Sequence, residues 1–170
     1  MKMTRKPGPG KKLLDNLLKQ DKAKVARVGF FPSATYPDGT SVAEVANKQE
    51  YGDPNNTLDG RKAPIPPRPF MRPTYAEESK NYREIVMDGT RAVAEGSATV
   101  DQVLEGVGLQ MQGDIIKTIS KITSPKLAKY TIAKRIERGN TSTKPLNDTG
   151  TMMAHVTYAV VDADGEGATE

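Results

Sequence analysis

Asp148-Thr149-Gly150 is the one string in this 170-residue sequence that resembles a catalytic signature. Aspartic proteases carry D-T-G on a loop where two carboxylates share a proton. Here only twenty residues follow Gly150 and there is no second D-T-G, so two such acids would meet only across a symmetric dimer. The simpler prediction is that Asp148 or Thr149 caps the N-terminus of a short helical turn that extends through Met153.

The other side chains offer little material for catalysis or for ligand binding. The sequence has no Cys and a single His, His155, whereas metal sites and nucleophilic triads need several such groups. Gly106, Gly108 and Gly113 do not form a phosphate-binding glycine loop. We therefore predict that the protein is not an enzyme and has no catalytic residue, cofactor or metal, and that His155 is a hydrogen-bonded or half-exposed residue before a strand.

Positive charge is concentrated near the N-terminus. Residues 1–30 contain nine basic residues and two acids, although the net charge of the whole chain is only +4. Two Pro-Gly pairs within residues 1–10 predict a flexible basic arm. The candidate contacts to nucleic acid or to an acidic protein surface are Lys2, Arg5, Lys6, Lys11 and Lys12. The alternative interpretation is a solvated tail that keeps the protein soluble.

The opposite end of the chain is acidic. Residues 162–170 carry four acids, no base and no apolar side chain larger than Ala, so we expect a disordered tail. We expect residues 11–161 to form a single domain, since about 150 residues is an ordinary size for one core. No apolar run approaches the roughly 20 residues that cross a bilayer, so no membrane partner is expected.

Apolar periodicity defines the short elements of this domain. Leu residues at helical spacing favour a helix over 11–20. Alternating apolar residues favour strands near 24–31 and 156–162. The predicted class is α+β, with a small, mostly antiparallel sheet packed against two long helices.

Three residue pairs fit the capping box, in which a Ser or Thr and an acid or amide three residues on satisfy two backbone N–H groups. The pairs are Ser41 with Glu44, Thr74 with Glu77, and Thr99 with Gln102. The first opens a short helix, and the other two open long helices that end near Gly96 and Ile122. Ser124-Pro125 is typical of a further helix start and predicts a helix over 126–138.

Proline dominates the segment between the first two capping boxes. Six of the twelve prolines lie within residues 53–73, and proline has no N–H for a ladder or helix. We expect a long proline-rich loop that projects outward, since loops of this length in a small domain are usually functional. Phe70 and Met71 either fold back onto the core or dock on a neighbouring molecule.

Three ordered blocks of the sequence resemble one known family. Residues 42–52 (V-A-E-V-A-N-K-Q-E-Y-G) are similar to V-A-x-x-x-N-E-F-G, with Lys48 and Gln49 separating the Asn and Glu or with Gln49-Glu50 in their place. Residues 65–73 (I-P-P-R-P-F-M-R-P) are close to I-P-x-R-P-F-L-R-P. Residues 131–135 and 144–150 are similar to T-I-x-x-K and P-L-x-D-T-G-x-L. The family comprises the tail-completion or neck proteins of long-tailed double-stranded DNA bacteriophages, also described as virion morphogenesis or minor tail proteins.

The resemblance implies a structural virion protein that completes the tail and connects it to the head. It implies a homo-oligomeric ring of about six copies around the DNA channel, in which contacts run head to tail. The implied partners are head-closure, tail terminator and tail tube proteins, with non-specific contact to passing DNA. The protein would be made in the bacterial host cytoplasm and reside in the virion. The expected subunit interface is the proline-rich segment, with Pro67, Arg68, Pro69, Phe70, Met71 and Arg72.

Two alternatives remain open at the level of sequence. One is a neighbouring role in the same neck, as a tail terminator or head-closure ring protein. The other is a basic nucleic-acid-binding protein of a different process, which would use the arm together with the helix over 126–138.

Overall fold

The computed structural model describes residues 23–163 together with 8, 10, 11, 14 and 15. Its helices and strands, in chain order, are β1 (Lys24–Gly29), α1 (Val42–Tyr51), β2 (Thr57–Leu58), β3 (Arg61–Lys62), α2 (Met71–Glu95), α3 (Val100–Lys121), α4 (Lys129–Glu137), α5 (Thr151–Ala154) and β4 (Thr157–Asp162). This mixture of helices and short strands confirms the predicted α+β class. Most of the helix expected over 11–20, most of the basic arm and most of the acidic tail lie outside the described residues.

The described chain divides into two compact units. The first contains residues 23–27, 79–111 and 158–163, and the second contains residues 28–78 and 112–157. The expectation of a single domain stays a prediction.

The two strands predicted from alternation pair with each other. β1 and β4 form a two-stranded sheet. The N–H of Ala163, just after β4, donates to the carbonyl of Ala23, just before β1, at 2.6 Å. The end of one strand therefore meets the start of the other, which is the antiparallel arrangement that was expected.

At two of the three predicted capping boxes, the Ser or Thr side chain caps the start of a helix. At α1, the Ser41 side chain accepts a hydrogen bond from the N–H of Glu44 at 3.4 Å. At α3, the Thr99 hydroxyl accepts from the N–H of Gln102 at 3.2 Å, and the Gln102 side chain accepts from the N–H of Thr99 at 2.9 Å. The second pair satisfies both backbone donors reciprocally, as the capping box requires.

The predicted capping box at Thr74 is wrong, because α2 begins three residues earlier, at Met71. Thr74 is buried inside the first turn of the helix. Its Oγ1 lies 2.6 Å from the carbonyl oxygen of Phe70 and 2.6 Å from Oγ1 of Thr118. A carboxylate from another helix, described below, takes the place of the expected cap.

The start of α4 also differs from the prediction, since the helix begins at Lys129 rather than at 126. The carbonyl oxygens of Pro125 and Lys126 accept hydrogen bonds from the Arg68 guanidinium, at 2.8 and 3.1 Å. These carbonyls therefore face a side chain instead of the helical ladder. The predicted last residue, Arg138, lies within one residue of the observed last residue, Glu137.

The proline-rich segment is not one continuous loop, because it contains a small hairpin. β2 and β3 pair antiparallel, with Thr57 opposite Lys62 and Leu58 opposite Arg61. The turn residues Asp59 and Gly60 have positive φ values of 51° and 72°, as a two-residue hairpin loop requires. The prediction overlooked this Asp-Gly pair, which is a strong hairpin signal.

The core of the second unit is formed by four parts of the chain: α1, α3, the residue just before α2, and the region of α5. Its buried side chains are Val42, Ala46, Phe70, Ile115, Ile119, Met152 and Val156. The rings of Phe30 and Phe70 meet edge to face with centroids 6.0 Å apart. Complete burial of a Phe side chain contributes roughly 1.5–3 kcal/mol, which makes Phe70 a principal element of this core.

In the first unit, α2 and α3 form a helical hairpin. The N–H of Gly96 donates to the carbonyl of Val93, and the N–H of Ser97 donates to that of Ala92, so the last turn of α2 is closed. The two helices approach closely at Gly89, where an added Cβ would lie 2.4 Å from Cγ1 of Val103. This contact requires the absence of a side chain at position 89.

We expect Gly89→Ala to lower the free energy of unfolding by about 1–3 kcal/mol, because the new methyl group must push Val103 away. Chemical denaturation followed by circular dichroism measures the effect. Gly106→Ala is the matched control, since a Cβ at Gly106 meets nothing within 4 Å. The control should stabilise the protein by about 0.5–1 kcal/mol through helix propensity.

The double variant Gly89→Ala/Val103→Ala tests the cause of this loss. If the clash is responsible, the two substitutions are not additive and the double variant is more stable than the sum predicts. Full additivity would contradict a close approach of the two helices at this position.

Candidate assembly surface

A buried carboxylate fixes the start of α2. The side chain of Glu50, the next-to-last residue of α1, is 4% exposed. Its oxygens accept hydrogen bonds from the backbone N–H groups of Phe70, Met71 and Arg72, at 2.6, 2.9 and 3.2 Å. A helix start leaves four N–H groups unpaired, and the fourth residue here is Pro73, which has none. Glu50 therefore satisfies every donor of this helix start.

Arg72 completes the pairing of Glu50 from the solvent side. Its Nε donates to Glu50 Oε1 at 2.9 Å, and its Nη2 donates to the carbonyl oxygen of Glu50 at 3.0 Å. Burial alone would raise the pKa of Glu50, but the backbone donors and the Arg72 guanidinium outweigh burial and lower it below the ordinary value of 4.5. The carboxylate is thus held in its charged form.

Arg68 is a buried cation that has neutral acceptors. It is 5% exposed, and besides the carbonyls of Pro125 and Lys126 it donates from Nη1 to the side-chain oxygen of Gln49 at 2.9 Å. Burial and then the nearby charge of Arg135 lower the pKa of Arg68 below its ordinary value. An arginine remains charged under these conditions, because its pKa is so far above neutrality. Arg68 therefore ties the proline-rich segment to the chain before α4.

A second buried guanidinium organises the loop that carries D-T-G. Arg135 Nη1 lies within 3.1 Å of three carbonyl oxygens, those of Ser142, Lys144 and Asn147. Asp148 Oδ1 lies 3.6 Å from Arg135 Nε, and Asp148 Oδ2 lies 2.8 Å from Arg138 Nη2.

Asp148 also accepts from the side chain of Asn140 at 2.7 Å. This carboxylate is placed as a partner of cations, which favours the structural interpretation of D-T-G over the proteolytic one. The helical turn predicted after it is present as α5, with Gly150 rather than Asp148 or Thr149 at the N-cap. Thr149 still accepts a hydrogen bond from the N–H of Thr151 at 3.3 Å.

An aromatic and cationic surface lies directly over the Glu50 anchor. The Arg72 guanidinium stacks on the Tyr51 ring, with Cζ 4.7 Å from the ring centroid. Tyr75 follows Arg72 by three residues on α2, which places the two on neighbouring parts of the helix surface. Tyr51 and Tyr75 are each 62% exposed. We group these side chains with Pro67 and Pro69, which are exposed in the neighbouring segment, and call the set the Tyr51–Tyr75 surface.

The six residues expected at a subunit interface separate into two groups. Pro67, Pro69 and Arg72 are exposed and Met71 is half-buried, so they are accessible or partly accessible to a neighbour. Arg68 and Phe70 are buried within the chain, Phe70 completely. Their expected role as contacts is therefore corrected, since Phe70 folds back onto the core and Arg68 binds the chain's own carbonyls. Sequence reasoning missed Glu50, Tyr51 and Tyr75.

The other predicted residues are placed as follows. Lys2, Arg5, Lys6 and Lys12 lie outside the described residues, and Lys11 is exposed. His155 is half-buried and its Nδ1 lies 2.8 Å from the carbonyl oxygen of Thr151, which agrees with the hydrogen-bonded role predicted for it.

Two further properties of the described part of the chain concern metal binding and membrane spanning. No cluster of three or more His, Cys, Asp or Glu side chains there is placed to hold a metal ion. Among the same residues, no helix combines the length and apolar character needed to cross a bilayer.

No known protein family, curated protein or solved structure matches the chain at a significant level.

Glu50→Gln should lower the free energy of unfolding by about 2–4 kcal/mol at pH 7, because the amide presents donors to backbone N–H groups that need acceptors. The substitution should also make the free energy of unfolding depend less on pH in the acid range. The pKa of Glu50 is lowered on folding, so its stabilisation is present above the unfolded value near 4.5 and is lost as pH falls through the folded value. Denaturant titrations between about pH 3 and 7 measure both effects.

Glu44→Gln is the matched control for this prediction. Glu44 is an exposed acid of the same helix and pairs with Lys48 at 2.8 Å. Exposed pairs of this kind contribute about 0–1 kcal/mol, so the control should stay close to the wild type at every pH. Equal losses in the two variants would contradict the role of Glu50 as the anchor of α2.

Proposed function

We propose that this protein is a structural component of a bacteriophage virion, which completes the tail and joins it to the head at the neck. In this role, copies of the chain form a closed ring around the DNA channel, and contacts rather than bond chemistry do the work. The protein is made in the bacterial host cytoplasm and resides in the assembled virion. Its partners in the neck are head-closure, tail terminator and tail tube proteins.

The observation that carries the proposal is that residues 65–73, the most specific block of the resemblance, combine buried anchoring side chains with exposed ones. Arg68 and Phe70 anchor the segment inside the chain, while Pro67, Pro69 and Arg72 remain exposed. A segment held so firmly from within presents a fixed outer surface. Such a surface suits repeated contacts between identical subunits.

The composition of the Tyr51–Tyr75 surface supports an assembly role. Tyr and Arg are enriched at the centres of protein interfaces. The Tyr ring offers a large contact area with few rotatable bonds, and the planar Arg guanidinium offers several hydrogen-bond donors and stacks on rings. Arg72 is already held by Glu50 and by the Tyr51 ring. Its side chain therefore loses little conformational entropy when a partner binds. We therefore place the contact between neighbouring copies at this surface.

The double variant Tyr51→Ser/Tyr75→Ser should fold normally and lose assembly, because both side chains are exposed and neither belongs to the core. Sedimentation velocity and electron microscopy of the purified protein measure ring formation. In the phage that encodes the chain, the variant should yield heads and tails that are not joined.

Met87→Ser is the matched control, since Met87 is 64% exposed on the same helix, in the first unit. It should assemble as the wild type does. A wild-type protein that stays monomeric at every concentration, together with virions that lack it, would overturn the proposal.

A further inference from the structure

The second unit contains a strongly basic stretch of the chain, which the assembly role does not use. Residues 117–144 include eight basic residues and a single acid, Glu137. This stretch alone is more positive than the whole chain, whose net charge is +4. Seven of the eight basic side chains are exposed, and the eighth, Arg135, is buried. We call residues 117–144 the basic segment.

Two of the exposed cations are paired with carboxylates of the described residues. Lys134 pairs with Glu137 at 2.8 Å, and Arg138 pairs with Asp148 at 2.8 Å. Within the described residues, no carboxylate lies within ion-pair distance of Lys126 or Lys129. The first turn of α4 begins at Lys129; it contains no acid, and its N-cap residue makes no side-chain hydrogen bond.

The hairpin of β2 and β3 adjoins the same helix. The Tyr130 hydroxyl on α4 lies 3.4 Å from Oδ2 of Asp59 at the hairpin turn. Asp59 also contributes to raising the pKa of Lys134, after the larger effects of Glu137 and Tyr130. Arg61 and Lys62, both exposed, follow Asp59 in the hairpin. The tip of the hairpin therefore adjoins α4, and two further exposed cations follow it in the chain.

Buried charge adds to the potential of this surface. Arg68 binds the carbonyls of Pro125 and Lys126 at the start of the basic segment, and Arg135 lies within α4. Their hydrogen-bond acceptors are neutral, apart from the 3.6 Å approach of Asp148 to Arg135. Neutral carbonyls satisfy the donors but leave the charges uncancelled, and a low-dielectric interior screens them poorly.

The predominance of Lys among the exposed cations of the basic segment indicates the chemistry of its partner. Six of the seven exposed basic residues of the segment are Lys, which is depleted in protein–protein interfaces. Lysine is a compact, hydrated point charge, suited to phosphate contacts that do not depend on base sequence. Tyr130 adds one exposed ring among the cations. We infer that the basic segment is a sequence-independent docking surface for the phosphate backbone of duplex DNA. This inference is independent of ring formation.

The test is fluorescence anisotropy of the full chain with a labelled random duplex of about 30 base pairs, between about 50 and 200 mM salt. In Lys126→Gln/Lys129→Gln/Lys144→Gln, which replaces three exposed lysines of the segment, affinity at about 0.1 M salt should fall at least tenfold. The slope of log affinity against log salt should become shallower by about 2 to 3, since each lost phosphate contact removes about 0.9. Circular dichroism checks that the variant is folded.

Two controls make the result decisive. Lys80→Gln/Arg83→Gln/Arg91→Gln removes the same charge from the exposed face of α2 in the first unit, and should keep affinity within about twofold. Deletion of residues 1–12 should leave most of the binding intact. Equal losses in both triple variants, or binding that only the deletion abolishes, would overturn the inference. It would also fail if the wild type did not bind DNA, or bound polyglutamate as tightly at the same salt concentration.

Discussion

The second unit depends on one electrostatic arrangement, the burial of the Glu50 carboxylate against the first turn of α2. A helix start of this kind cannot be left unpaired inside a protein, because each buried N–H without an acceptor costs about 1–3 kcal/mol. No local side chain supplies the acceptor, and the residue comes from α1, about twenty positions earlier. The end of α1 and the start of α2 are therefore held together, and the proline-rich segment must close between them.

Closure of that segment determines the positions of its buried side chains. Phe70 donates its N–H to Glu50 and inserts its ring into the core, so one residue links the polar anchor to apolar packing. Arg68 is then carried to the carbonyls that precede α4. Buried guanidinium groups stabilise little by themselves, because desolvation offsets most of the gain. Their effect is to select one path for the loops that surround them.

The sequence predicts those parts of this fold that are determined by neighbouring residues. The paired strands, the Thr99 capping box and the long periodic helix after it depend on local spacing, and the structure confirms them. The start of α2 could not be predicted locally, since its cap is a distant carboxylate and Thr74 only imitates a capping residue. The same reason explains α4, where a distant arginine takes the carbonyls that the pattern assigned to a helix.

Of the six residues that the sequence places at the assembly surface, four are exposed or half-buried and two are buried, and the difference follows a simple rule. Proline fixes its own φ and keeps the preceding residue extended, so a run such as P-R-P-F alternates sides as a strand does. Pro67 and Pro69 then share the outer side, while Arg68 and Phe70 share the inner side, as observed. A backbone restrained in this way loses little entropy when a partner binds it. The prolines that exclude regular structure from this segment thus also prepare its outer side for contact, which links the fold of the chain to the assembly proposed for it.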